Sequence, residues 1–211
     1  MALRKIYIVG AGGFGREVFA WARQHPACGQ AWELGGFLDD AADRLDGKDF
    51  PARILGPLSG HRVEPDAYYL CGMGQPENKR RLLPDLVNQG ARFLTLVHPS
   101  CVLGPQVKLG TGVVLCPQVV LTANVEIGDF SMLNTHVTAG HDVRVGRDCT
   151  ISSFCDLTGG VIVGDGVFLA SRVTVVPGKT VGDGAYVGAG SVVLQNVRPG
   201  QRVFGVPARP L

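Results

Sequence analysis

The chain has 211 residues, 45% of them hydrophobic and 18% charged, which suits one large or two small soluble domains. A formal net charge of +2 argues against strong nucleic-acid binding and against an acidic tail. The first apolar run, Ile6 to Val9, stops at Gly10 and is too short for a signal peptide or a membrane span, so a cytoplasmic protein with no membrane partner is expected.

In chain order, residues 5–9 read as a buried strand. Gly10-Ala11-Gly12-Gly13-Phe14-Gly15 follows, and then a helical run through Trp21. Strand, glycine-rich turn and helix in that order make a phosphate- or nucleotide-binding half-unit, because glycines let the amides of a helix N-terminus approach an anion. A second strand over 34–38 ends in Asp39-Asp40, whose carboxylates suit a base or a ribose. A third, over 67–70, enters Cys71-Gly72-Met73-Gly74, and 78–88 reads as a helix. These pieces make a parallel α/β sheet, half of a dinucleotide fold. Gly10, Gly12 and Gly15 match the dinucleotide spacing, but a whole NAD site needs the second half, and the acidic pair lies nearer thirty residues on than twenty. A nucleotide-activated ligand is preferred to NAD or to a purely structural turn.

From Val97 to Val193 every sixth residue is aliphatic, seventeen positions without a slip, since (193 − 97)/6 + 1 = 17. A period of six fits neither a helix nor one alternating strand, so the chain must turn a corner once per hexad. Four places after an aliphatic the residue is usually small or β-branched, such as Val119, Val137 or Val161, suited to an inward site beside a corner, and Lys179 is the departure. Pairs such as Gly128-Asp129 and Gly164-Asp165 supply turns. This is the pattern of a parallel β-helix, whose coils bury their inner faces only by stacking. No insertion breaks the phase, so an acceptor pocket needs help from outside the coils. The six cysteines show no metal-type CxxC pairs, no metal is expected, and Cys101, Cys149 and Cys155 at inward positions read as reduced core thiols.

In the Gly10 to Gly15 loop, Gly36-Phe37-Leu38-Asp39-Asp40, Val97-His98-Pro99-Ser100, Leu133-Asn134-Thr135, Gly140-His141-Asp142 and Gly205-Val206-Pro207-Ala208, the chain resembles the sialic acid O-acetyltransferase-type and bacillosamine-type family of sugar acetyltransferases. The resemblance implies an α/β N-terminal half-Rossmann-like nucleotide-sugar domain over 1–92 and an all-β left-handed parallel β-helix over 93–211 with a C-terminal cap. The handedness comes from the resemblance alone, because the general preference of crossovers is right-handed. It also implies a homotrimer with sites at subunit interfaces and acetyl-CoA as co-substrate. Carried over by position, Gly12, Gly13, Phe14, Asp39, Asp40 and Gly74 would hold a nucleotide-activated amino sugar. His141 would be the base and Asp142 its partner, with Thr150, Ser171 and Ala189 bordering acetyl-CoA.

The coil spacing adds that Ala123 and Gly159 flank His141, while Asn124 and Gly160 flank Asp142, one coil away on either side. Gly159-Gly160 leaves room for a thioester and offers backbone amides to an oxyanion. A histidine can accept the proton of an attacking amine or hydroxyl, with a carboxylate to orient the ring. His136, on another face, is the rival base, and Lys179, Arg198, Arg202 and Arg209 compete for the CoA phosphates. The resulting expectation is an acetyl-CoA-dependent N-acetyltransferase acting on a nucleotide-linked 4-amino-deoxy sugar. O-acetylation of sialic acid or another hydroxyl, and a non-catalytic trimeric scaffold, stand as alternatives.

Overall fold

A computed structural model describes residues 3–211. The first unit runs β1 (Arg4–Val9), α1 (Gly13–Ala22), β2 (Trp32–Leu38), β3 (Ile54–Gly56), β4 (Tyr68–Cys71), α2 (Pro76–Asn88) and β5 (Arg92–Phe93). Its strands are all parallel, in the order β3-β2-β1-β4-β5. The middle strand is apolar on both sides because both sides are covered. Ile6 and Ile8 pack with Val18 and Phe19 of α1, while Tyr7 and Val9 join Leu83 and Leu86 of α2. Sequence reasoning missed β3, a three-residue edge strand too short to show a period. It also started the second helix late, since Pro76 opens α2 where the missing N–H costs nothing.

The remainder is a solenoid of two-residue strands, from β6 (Leu96–Val97) to β22 (Val192–Val193). Each strand pairs in parallel with the one eighteen residues on, as Val120 does with Thr138 and Leu121 with Ala139. Three sheets of six, five and eight strands form the sides of a prism. The eight-stranded sheet is extended by the capping β23 (Arg202–Phe204) and the antiparallel β24 (Arg209–Pro210). Inward side chains such as Leu115, Val119, Leu121, Leu133 and Ile151 have no exposed surface. The repeat is looser at its start: Leu103 is 42% exposed, because the first coil has no coil beneath it.

The corners carry a second six-residue period. Every sixth residue from Gln106 to Gly190 has a positive φ, between 56° and 70°, and nine of these fifteen residues are not glycine. Left-handed backbone costs a residue with a Cβ roughly 1 kcal/mol. The corner geometry offsets it by aiming each such N–H at the coil before: Asn124 donates to the Pro105 carbonyl, Asp142 to Ala123 and Phe154 to Thr135. Side chains stack across coils as well. His136 lies flat on Phe154, centroids 4.5 Å apart, and the Arg172 guanidinium sits 5.0 Å from the other side of that ring.

The α/β unit packs on the eight-stranded sheet, where Val114 and Met132 enter the cluster around Ile6 and Val18. Phe93 meets Phe130 edge to face at 5.0 Å. At the centre of this joint lies Lys79 of α2, with no exposed surface. Its Nζ donates to the Cys149 carbonyl at 2.8 Å and to Thr150 Oγ1 at 3.1 Å, and Thr150 in turn donates to the Gly74 carbonyl at 2.7 Å.

Candidate functional site

Two sets of predicted residues come together in two places. The first is a cleft of about 440 Å³ at the C-terminal ends of β1 and β4, lined by Gly12, Gly13, Phe14, Asp39, Asp40 and Gly74 among others. The glycines of the turn divide the work. Gly10 has a φ of +99°, and a Cβ on Gly15 would strike the Gly10 carbonyl, so these two let the helix start hard against the strand. A Cβ on Gly12 or Gly13 would meet nothing within 4 Å. Gly12 caps α1 without a side-chain hydrogen bond, and no acidic residue occupies the first turn. The open helix end favours an anion.

Asp39 and Asp40 reach the cleft, but their carboxylates already serve the fold. Asp39 accepts from the amides of Ala11 at 2.7 Å and Ala41 at 2.9 Å, and from Arg44 Nε. Asp40 accepts from Ser59 twice, through its amide at 2.7 Å and its hydroxyl at 2.9 Å. The Ser59 amide is the chief reason the Asp40 carboxyl lies below the usual carboxylate range. Their first role is thus to hold the glycine turn and the 56–60 loop in place, which a local reading of an acidic pair does not reveal. Sequence reasoning also missed the cations of this cleft, Arg44 and Arg81.

The second place is a corner. His141 and Asp142 join β13 (Thr138–Ala139) of the six-stranded sheet to β14 (Arg144–Val145) of the five-stranded sheet. They sit on the edge of the prism opposite the sheet that carries the α/β unit. His141 Nδ1 lies 2.8 Å from Asp142 Oδ2, and Asn124 Nδ2 donates to Asp142 Oδ1 at 3.1 Å. The hydrogen bond with His141 comes first, and that with Asn124 second, in holding the Asp142 carboxyl below its ordinary range. With Nδ1 facing a carboxylate, Nε2 is the nitrogen left to accept a proton. The imidazole rests on Gly159, where any Cβ would collide with Nε2 and approach Cε1 to 2.7 Å.

Two expectations need correcting. Thr150 was expected to border acetyl-CoA, but it is 1% exposed and spent between Lys79 and Gly74, so it offers no surface to a co-substrate. Gly160 was expected to lend its amide to an oxyanion, but that N–H belongs to the corner ladder, donating to the His141 carbonyl at 2.8 Å. The rival base His136 is engaged in the stack with Phe154 on a different edge. That edge, between the eight- and six-stranded sheets, also carries the exposed Ser171 and Ala189. One side of the prism therefore separates them from His141. The buried thiols are inert as nucleophiles: burial pushes Cys149 up to about 11 and Cys155 up to about 12. Among the described residues no helix is long and apolar enough to cross a membrane.

A glycine-floored cleft on a half-Rossmann unit, joined to a hexapeptide β-helix with a His-Asp corner, defines a class of hexapeptide-repeat acyltransferases with an α/β N-terminal domain. Residues 5–86 match the model of the PglD N-terminal domain. GDP-perosamine N-acetyltransferase from Escherichia coli O157:H7 is 27% identical over 139 residues, 64% of this chain and 61% of that protein's length. The crystal structure of PerB from Caulobacter crescentus, in complex with CoA and GDP-perosamine, is 30% identical, with a TM-score of 0.88 over 100% of this chain and 98% of that one. The acetyltransferase domain of PglB from Neisseria gonorrhoeae, in complex with acetyl coenzyme A, is 26% identical, with a TM-score of 0.88 over 100% of both chains. The chain belongs to the bacillosamine-type family of nucleotide-sugar acetyltransferases, with its hexapeptide-repeat, left-handed β-helix.

Proposed function

We propose that this protein transfers the acetyl group of acetyl-CoA to the amine of a nucleotide-linked 4-amino-deoxy sugar. The observation that carries the reading is the corner pair, an imidazole with Nδ1 tied to a carboxylate and Nε2 poised over Gly159. Nε2 of His141 takes a proton from the sugar amine as its nitrogen attacks the thioester carbon. The new C–N bond forms, the C–S bond breaks on collapse of the tetrahedral intermediate, and the imidazolium returns its proton to the departing CoA thiolate. Asp142 stabilises the imidazolium between these steps. The Gly159 amide, beside Nε2, is the remaining candidate to receive the oxyanion.

The nucleotide sugar binds in the N-terminal cleft, its diphosphate at the open end of α1 between Arg44 and Arg81, with Gly12 and Gly13 clearing the approach. The solenoid edge bearing His141 is the one opposite the sheet on which that cleft is mounted, so one chain does not complete the site. The protein acts as a cyclic homotrimer in which the His141 edge of one subunit faces the cleft of the next. Acetyl-CoA lies between them, along Ser171 and Ala189 of a neighbouring edge. That a similar structure is a perosamine N-acetyltransferase in complex with CoA and GDP-perosamine supports the amine acceptor and the donor.

Thiol release from acetyl-CoA, measured with GDP-, UDP- and dTDP-linked 4-amino sugars and with free sialic acid, tests the reading. A hydroxylamine-resistant amide on a nucleotide sugar is the expected product. A hydroxylamine-labile ester would move the assignment to O-acetylation, and binding without thiol release would make the protein a scaffold.

A further inference from the structure

Resting on the reading of His141 as the base, we propose that Asn124 is a positioning residue that completes the dyad from the coil beneath it. The two oxygens of Asp142 are divided between two partners: Oδ2 faces His141 Nδ1 at 2.8 Å and Oδ1 accepts from Asn124 Nδ2 at 3.1 Å. A carboxylate on an exposed corner is otherwise free to turn and to bond to water, and an isolated exposed ion pair holds its geometry poorly. Two anchors fix the carboxylate plane where one does not, and with it the direction in which Nε2 points.

A simpler explanation exists for an asparagine here. Asn124 has a φ of +59° and occupies one of the corner seats that recur every six residues, and asparagine tolerates that conformation better than most side chains. Its own amide donates to the Pro105 carbonyl, as the corner requires. The neighbouring seats on the same edge, one coil apart, hold Gln106, Asp142, Gly160 and Gly178. Backbone need alone would accept glycine at 124. Only the side-chain bond to Asp142 calls for an amide donor.

Substitution by glycine separates the two explanations, because it keeps the backbone seat and removes the donor. With GDP-perosamine and acetyl-CoA as substrates, Asn124→Gly is expected to lower kcat about tenfold while both KM values stay within about twofold and the melting temperature is retained. Asn124→Asp, which also suits the seat, places a second carboxylate against Asp142 and is expected to move the acid limb of the kcat/KM profile to higher pH. A merely structural asparagine would leave kcat unchanged in Asn124→Gly. The proposal is overturned by an Asn124→Gly enzyme within twofold of the parent kcat, or by an unmoved acid limb in Asn124→Asp. His141→Ala serves as the control. If it keeps its activity the assignment of the base itself has failed, whereas an inactive control beside a fully active Asn124→Gly isolates the failure to Asn124.

Discussion

Two adjacent glycines at the His141 edge have opposite reasons to be glycine. Gly159 does not have the left-handed φ of its neighbour, so its backbone accepts alanine, but the added Cβ would occupy the place of the imidazole. His141 is an exposed side chain at the end of a rotatable stem and yields without disturbing the fold. Gly159→Ala is therefore expected to keep the parent melting temperature and to lose roughly 100-fold in kcat, since a displacement of about 1 Å costs that much. Gly160 has a φ of +69° and nothing nearer to its missing Cβ than Gly178 at 3.9 Å. Gly160→Ala is expected to lose about 1 kcal/mol of stability and little activity. Chemical denaturation together with steady-state rates on the two variants checks the pair, and the same phenotype from both would contradict the geometry.

Asp142 adds a statement about pH at the same scale. Its folded-state pKa is depressed, so its charged form is present above the ordinary carboxylate value and is lost only as pH falls through the lowered one. Over the range of about pH 5 to 8, in which imidazoles in general titrate, this carboxylate stays ionised. The acid limb of kcat/KM is therefore expected to follow a single proton. A slope of two in that range would show Asp142 titrating with its partner.

At the scale of elements, the hexad period shows the solenoid plainly because each coil repeats the same local demand: an aliphatic pointing in, a small residue beside a corner, a turn. The strand, glycine loop and α1 are equally readable, since their pattern is local. What sequence reasoning missed is what joins distant segments. Lys79 and Thr150 are 71 residues apart and meet in the joint, yet neither stands out in its own neighbourhood. A lysine on a helix reads as solvated, and a threonine on a β-helix strand reads as surface. The structure instead buries both and makes them a strut between the wall of the cleft at Gly74 and the prism.

Lys79→Ala removes the strut, leaving a cavity and taking the side-chain donor from the Cys149 carbonyl, which keeps only the Met132 amide, and from Thr150 Oγ1, and is expected to cost roughly 3 kcal/mol. The loss should depend on pH. Burial lowers the Lys79 pKa in the folded protein, so the unfolded chain binds the proton more tightly between that lowered value and the ordinary lysine value of 10.5. The contribution of this group to stability thus rises with pH through that window. The melting-temperature gap between parent and Lys79→Ala should widen as pH increases toward about 10, and a constant gap would show that Lys79 is not desolvated.

For the whole molecule, the decisive question is whether the cleft and the base that serve one substrate belong to one chain or two. Gly12→Asp offers a clean block of the cleft. Gly12 has β-region backbone, open space in place of a Cβ and the N-cap position of α1, where aspartate is favourable. The protein should fold, but a carboxylate now occupies the helix end proposed for phosphate. His141→Ala removes the proposed base and leaves the cleft intact. Each variant alone is expected to be inactive. If the His141 edge of one subunit faces the cleft of the next, a trimer refolded or co-expressed from equal amounts of the two contains sites that take a sound base from one chain and a sound cleft from its neighbour. Random assortment gives each interface a sound base with probability one half and a sound cleft with probability one half, so about one site in four should work. Activity near a quarter of the parent value, appearing only when subunits are allowed to exchange, would establish a shared site. A mixture that stays inactive while forming mixed trimers would return both halves of the site to a single chain.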